Sequence, residues 1–239
     1  MRSLFFAILF FGSALVADSL DKVFGDNDLV AVSEDGSNIP LRYKKILNAF
    51  GQTSESCTAT HIGRGYVLTA GHCFWAPPEM IRHTKCSDTQ VSWGLRGEQK
   101  PYLVSQCEEI VAAQRSFAGD FAILKVSPVP ETFIPVELKR RAAIGDSLTV
   151  FSHPDELALH WSKHCGVERP TDPFLPVTSL KHQCDTNPGS SGATLLNLVT
   201  LKVVGIHDGG YIENGTGMNY GSFIMDSPLL DVLKELGFN

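Results

Sequence analysis

Short apolar stretches recur along the chain between turn signals. Six are strand-sized and rich in β-branched or aromatic residues: YVLTA (66–70), DFAILKV (120–126), DSLTVFS (146–152), GATLLN (192–197), LKVVGIH (201–207) and GSFIM (221–225). Runs of that length and composition, bounded by Gly, Pro, Asn and Asp, predict strands. The stretch 227–239 has a different period. Pro228 suits a first helical position, Ser227 can cap it, and Leu229, Leu230, Leu233 and Leu236 form a stripe at helical spacing. Between the two groups of strands, SPVPETFIPVELKRR (127–141) carries three prolines and a basic end, as a connection between two halves would. The pattern predicts two β halves and a C-terminal helix packed back on them.

The first residues follow another pattern. Arg2 precedes an apolar run from Leu4 to Phe11, and small residues follow from Gly12 to Ala17. That order of charge, apolar core and small residues is the order of a secretory leader, cut after Ala14 or Ala17. No later segment approaches the roughly 20 apolar residues that span a bilayer, so an exported protein without a membrane span is expected.

Composition narrows the function classes. The chain has 239 residues, 43% of them hydrophobic and 19% charged, which is globular rather than disordered. Gly 21 and Pro 13 mean many turns and favour an all-β architecture. The formal charge of −6 offers no basic field, so nucleic acid and anionic lipid are disfavoured as partners.

The six cysteines, Cys57, Cys73, Cys86, Cys107, Cys165 and Cys184, fit disulfides in an exported chain. Fifteen pairings are open in principle. The sequential one (57–73, 86–107, 165–184) closes short loops and is the first choice, each bridge constraining the unfolded chain by about 3 kcal/mol. No C-x-x-C occurs. His160, His164 and Cys165 lie close enough to raise a metal site, but a surface loop ending in a disulfide explains them better. No metal and no cofactor are expected.

CDTNPGSSGATLL (184–196) sets two serines between glycines. Turn chemistry alone accounts for it. A nucleophile is the sharper reading, and it needs a base and a group to orient that base. His72, in VLTAGHC, follows a predicted strand and stands beside Cys73. A 57–73 bridge would pin the loop that carries its imidazole. Asp120 opens the apolar strand DFAILKV, where a buried carboxylate could fix the imidazole tautomer. The chain order is His, Asp, Ser, which is the chymotrypsin order and not that of subtilisin or the α/β-hydrolases. The hydrolase elbow G-x-S-x-G also fails, because Ala193 stands where its last glycine should be.

In TAGHC, DFAILK and GSSG, taken together and in order, the chain resembles a trypsin/chymotrypsin-fold serine endopeptidase from about Val23 to Asn239. The resemblance implies an all-β fold of two six-stranded antiparallel β-barrels with a C-terminal α-helix. It divides the chain into a signal peptide (1–17), a short propeptide (18–22), an N-terminal barrel (23–130), a linker (131–141), a C-terminal barrel (142–226) and a helix (227–239). It implies a secreted, monomeric enzyme acting on polypeptide substrates. Ser191 is then the nucleophile rather than Ser190, with His72 as base and Asp120 as orienter. The N–H groups of Gly189 and Ser191 would form the oxyanion hole.

Two departures separate the chain from the animal digestive branch. Ser190 stands where that branch has an aspartate, so its activating ion pair with a new amino terminus cannot form. The serine motif also ends SGAT rather than SGGP. These features are more similar to the bacterial glutamyl-endopeptidase branch, as is KVFGDNDLVAV (22–32), which resembles the start of its mature chains. In that branch a threonine five residues before the serine and a histidine in the segment matching GIHDGG (205–210) hold a substrate carboxylate. Thr186 and His207 fall on those positions, with Gly209 and Gly210 leaving an open wall. Cleavage after Glu, and less after Asp, is the expectation. A different or broad preference is the first alternative, and an inactive homologue that binds partners is the second.

Overall fold

The computed structural model describes residues 23, 26–86, 88–168, 179–213 and 216–239. The expected leader and propeptide (1–22) lie outside the described residues.

The chain enters as β1 (Val30–Ala31). Strands β2 (Phe50–Thr53), β3 (Thr58–Gly63), β4 (Tyr66–Thr69), β5 (Ile81–Thr84), β6 (Gln90–Trp93), β7 (Leu103–Ser116) and β8 (Gly119–Ser127) then form one sheet. Its order is β5-β7-β6-β2-β3-β4-β8, and a further β7–β8 pairing closes six of these strands into a barrel, leaving β5 outside on β7. The second half contributes β9 (Ser147–Ser152), β10 (His160–Trp161), β11 (Cys165–Glu168), β12 (Ser179–His182), β13 (Thr194–Asn197), β14 (Val203–Glu213) and β15 (Thr216–Phe223). Their order is β1-β10-β9-β11-β12-β15-β14-β13, and a β9–β13 pairing again closes six strands. The result is two closed six-stranded antiparallel barrels in the chymotrypsin-like arrangement.

The continuous apolar run of β8 has a simple cause. Phe121 and Ile123 belong to a core shared with Phe151, Leu196 and Ile206 of the second barrel. The alternate residues Ala122, Leu124 and Val126 fill the interior of the first barrel. Both faces are buried, so no polar alternation survives. Phe50 stacks on Phe151 across the two halves at 4.9 Å between centroids. Burying such a side chain contributes about 1.5–3 kcal/mol.

The proline-rich connection is strapped to both barrels. Ile134 N–H donates to His61 O (2.9 Å), Val203 N–H to Pro135 O (2.9 Å) and Glu137 N–H to Val203 O (2.8 Å). Its own Ile134, Val136 and Leu138 are buried. The C-terminal helix spans Leu229–Glu235 and buries Leu229, Val232 and Leu233. The expected serine cap is absent: Pro228 occupies the cap position without a side-chain hydrogen bond, and the buried Ser227 Oγ has no partner among the described residues. A preceding 3-10 turn, Ile224–Asp226, delivers the chain to the helix in place of a capping loop.

All three sequential disulfides are present. Cys165 is therefore committed to Cys184 and is not available as a metal ligand. His164 Nε2 instead meets the Tyr43 hydroxyl at 3.0 Å. Among the described residues, no helix is long and apolar enough to cross a membrane.

Candidate active site

Strands β4 and β8 are paired with Thr69 opposite Ala122. His72 lies three residues beyond Thr69 and Asp120 two before Ala122, so the register brings both to the same end of the barrel. Asp120 clamps the histidine twice. Its Oδ2 accepts Nδ1–H at 2.7 Å and its Oδ1 accepts the His72 backbone N–H at 2.8 Å. With Nδ1 carrying the proton, Nε2 keeps its lone pair and can act as a base. The Cys57–Cys73 sulfurs and a His72 ring nitrogen lie within 4.8 Å of one another. Since the sulfurs are bonded to each other, they brace the imidazole rather than offer a metal site.

The serine turn is fixed to that corner through Thr58. Its N–H donates to Ser191 O at 2.9 Å, and its hydroxyl donates to Gly189 O at 2.8 Å. Gly192 must be glycine: at φ +83°, a Cβ there would lie 2.3 Å from Thr69 Oγ1 and 2.4 Å from Thr58 O. The two serines have separate environments. Ser190 is buried, donates to Ser152 Oγ at 3.1 Å and accepts Asn187 N–H at 3.3 Å, so its hydroxyl anchors the turn. Ser191 is half-buried. Among the described residues, neither the Gly189 nor the Ser191 N–H is committed to a protein acceptor. No hydrogen bond joins Ser191 Oγ to the imidazole among the described residues; contacts of this kind often tighten only with substrate bound.

The turn is backed by His153, whose carbonyl oxygen sits 2.5 Å from where a Gly189 Cβ would stand. His153 is fully buried, its N–H donates to Thr58 Oγ1, and its Nδ1–H donates to Leu157 O at 3.0 Å. Burial lowers its pKa from 6.5 to about 4. Below the unfolded value the denatured chain takes a proton that the folded chain refuses. Stability from this residue is thus full above pH 6.5 and is lost as the pH falls towards 4. The loss for one such residue is roughly 3 kcal/mol. Urea midpoints at pH 7.5 and 4.5 test this: His153→Gln should flatten the acid loss, and an equally steep loss in the variant would contradict it.

The proposed specificity residues stand close to the serine. The His207 N–H donates to Ala193 O at 2.8 Å and its carbonyl accepts Gly192 N–H at 2.9 Å. His207 and Thr186 are both buried, and Thr186 Oγ1 has no hydrogen-bond partner among the described residues. Behind His207 lies a second imidazole. Cys184 N–H donates to His182 Nδ1 at 3.2 Å, so a neutral His182 carries its proton on Nε2. That Nε2 meets His207 Nδ1 at 3.0 Å, which directs the His207 proton to Nε2. Burial first, and His207 second, push His182 well below the usual imidazole range. Gly209 faces the Tyr220 hydroxyl, 3.3 Å from where its Cβ would be, so the wall expected to be open has a polar neighbour. Asp185, adjacent to Thr186, is buried and accepts the Asp28 N–H of the N-terminal arm at 2.6 Å. The sequence alone left His182, Asp185 and Tyr220 without a role: Asp185 sits in the serine segment beside Thr186, and the other two stand outside the short motifs.

Two barrels, a His–Asp pair at the end of one and a serine turn at the end of the other define a chymotrypsin-like hydrolase fold. The profile of the trypsin-like peptidase domain matches residues 57–206, and the chain belongs to that family as a serine endopeptidase. Among solved structures it is similar to a Glu endopeptidase in complex with MPD, with 18% identity, TM-score 0.66, and coverage of 90% of this chain and 99% of the other. It is also similar to the protease Anisep from Arthrobacter nicotinovorans, with 16% identity, TM-score 0.59, and coverage of 80% and 96%. No curated protein sequence matches the chain.

Proposed function

We propose that the protein hydrolyses peptide bonds through a Ser191–His72–Asp120 triad and an acyl-enzyme, with preference for Glu, and less for Asp, at P1. The observation that supports the triad best is the double clamp of Asp120 on His72, which leaves Nε2 as the base. In the reaction Nε2 takes the Ser191 proton as Oγ attacks the carbonyl carbon. Asp120 stabilises the imidazolium, and the Gly189 and Ser191 N–H groups receive the oxyanion. The imidazolium then protonates the leaving amine, and water repeats the sequence on the ester.

The acidic preference rests on the Thr186 hydroxyl and the His207 Nε2–H, both donors for a substrate carboxylate. An extended substrate would pair along the segment from His207 to Gly210, as an added strand. Asp185 favours a second reading, cleavage after Lys or Arg, because in trypsin an aspartate in the specificity pocket selects basic residues. The Asp28 N–H bond to this carboxylate argues for an anchoring role instead. Export through the leader at 1–17 belongs to the same proposal, and three disulfides suit an oxidising compartment.

Cleavage of a mixed peptide library by the purified protein tests the proposal. Enrichment of Glu at P1 is expected; enrichment of Lys and Arg would transfer specificity to Asp185.

A further inference from the structure

Asp208 is the residue that a bulge in β14 leaves without a ladder partner. His207 lies opposite Gly221 and Gly209 opposite Tyr220, with no register partner for Asp208 between them. Bulges of this kind re-aim one side chain and gather next to active sites. Here the re-aimed group is a carboxyl on a residue only 7% exposed. Its Oδ2 accepts the Ser222 hydroxyl at 2.7 Å. That hydroxyl in turn accepts the backbone N–H of Asp120 at 2.7 Å. An N–H can only donate, so the Ser222 oxygen is the acceptor there and its own proton is free for Asp208. The remaining oxygen, Oδ1, is buried and has no hydrogen-bond partner among the described residues.

Two carboxyls therefore share one corner, and their surroundings differ. Asp120 accepts two N–H bonds from His72, which is what an ionised carboxylate needs. Asp208 accepts the Ser222 hydroxyl, with the Ser222 backbone N–H also favouring its charged form, but burial and the Asp120 charge outweigh both. An ionised group in that position, beside a second anion, is strongly disfavoured. Protonating the carboxyl removes the charge, and with it the repulsion from Asp120 and most of the cost of burial. Burial first, and Asp120 second, push the Asp208 carboxyl well above the usual carboxylate range. Asp120 on β8 is the titratable group that faces it, with His72 behind that carboxylate. On its own strand, His207 pairs with His182 of β12, and β15 contributes Ser222.

We propose that Asp208 is a positioning residue of the triad: a neutral carboxylic acid that ties Ser222 to the Asp120 backbone and keeps a second negative charge away from the Asp120–His72 pair. This rests on the triad reading above. It gives the bulge a purpose that substrate pairing alone does not require.

The test compares full-length wild type, Asp208→Ala, Asp208→Asn and Ser222→Ala in peptide hydrolysis across pH, with fluorophosphonate labelling of the serine alongside. Asp208→Ala should lower kcat about tenfold or more while KM stays within about twofold, and Ser222→Ala should follow it. Asp208→Asn, neutral and of the same shape, should recover most of that loss. Its acid limb of kcat/KM should stay within about 0.2 pH units of wild type, because replacing a neutral acid removes no charge. An acid limb lowered by about half a unit or more would mean that Asp208 is an anion, and would overturn the proposal. Full activity in Asp208→Ala, or equal damage in Asp208→Asn, would overturn it too. Should Asp208→Ala fail to fold, the Asp208→Asn profile decides alone. An unlabelled wild type would sink the triad itself; a labelled wild type with failing Asp208 arms sinks the Asp208 role only.

Discussion

Ser191→Ala is expected to lower kcat for peptide hydrolysis by about 10⁵- to 10⁶-fold while the protein still folds. The bond-making oxygen is lost, yet the turn that presents it is not, because its supports lie elsewhere. Ser190, Thr58 and Gly192 hold that turn through contacts that Ser191 Oγ does not share. His72→Ala should be comparably damaging, and Asp120→Asn should cost about 10⁴-fold by upsetting the imidazole tautomer. The double variant Ser191→Ala/His72→Ala should be hardly worse than either single one, since the three groups act as a unit. Steady-state kinetics on one good peptide substrate decides this. Multiplying losses would contradict the triad, and so would full activity in Ser191→Ala. Loss in a folded Ser190→Ala as deep as in Ser191→Ala would move the nucleophile to the neighbouring serine.

The second large effect concerns P1. His207→Ala should reduce the ratio of kcat/KM for Glu over a neutral residue by about 10- to 100-fold, the range of one hydrogen bond to a charged group. Thr186→Val should act in the same direction. His182→Ala should act through His207, since the pair at 3.0 Å directs the His207 proton to Nε2, the nitrogen proposed to meet the substrate carboxylate. Cleavage after neutral residues should persist in these variants, because Nε2 of His72 is untouched. If the library profile favours Lys or Arg and Asp185→Asn removes that preference, the acidic pocket is wrong.

Much of this site was legible in the sequence because it sits on short, local signals. His72 and Cys73 are neighbours, Asp120 opens an unbroken apolar strand, and Ser191 lies in a turn between glycines. The six strands read from pattern are all strands, though their ends shift. GSFIM, for example, leaves the sheet at Phe223 and turns through Ile224–Asp226. β7 escaped notice although it is the longest strand among the described residues, with fourteen. In its first half, LVSQCEE, the apolar Val104 faces outwards and the polar Ser105 is buried, which breaks the alternation a strand would show, and two register shifts bend it between barrel neighbours. Ser227 misled for a local reason: it has a capping residue's chemistry, but a 3-10 turn already occupies the approach to the helix. Asp208 and His182 could not be read locally. Their partners, Ser222 and His207, lie fourteen and twenty-five residues away and meet them only across the folded sheet.

Fluorophosphonate labelling followed by mass spectrometry of the adduct tests the central claim most directly, since only an activated serine reacts. The account predicts a single adduct at Ser191 in the wild type, and none at the same dose in His72→Ala. An unlabelled wild type, or an adduct at Ser190 or another serine, would contradict it.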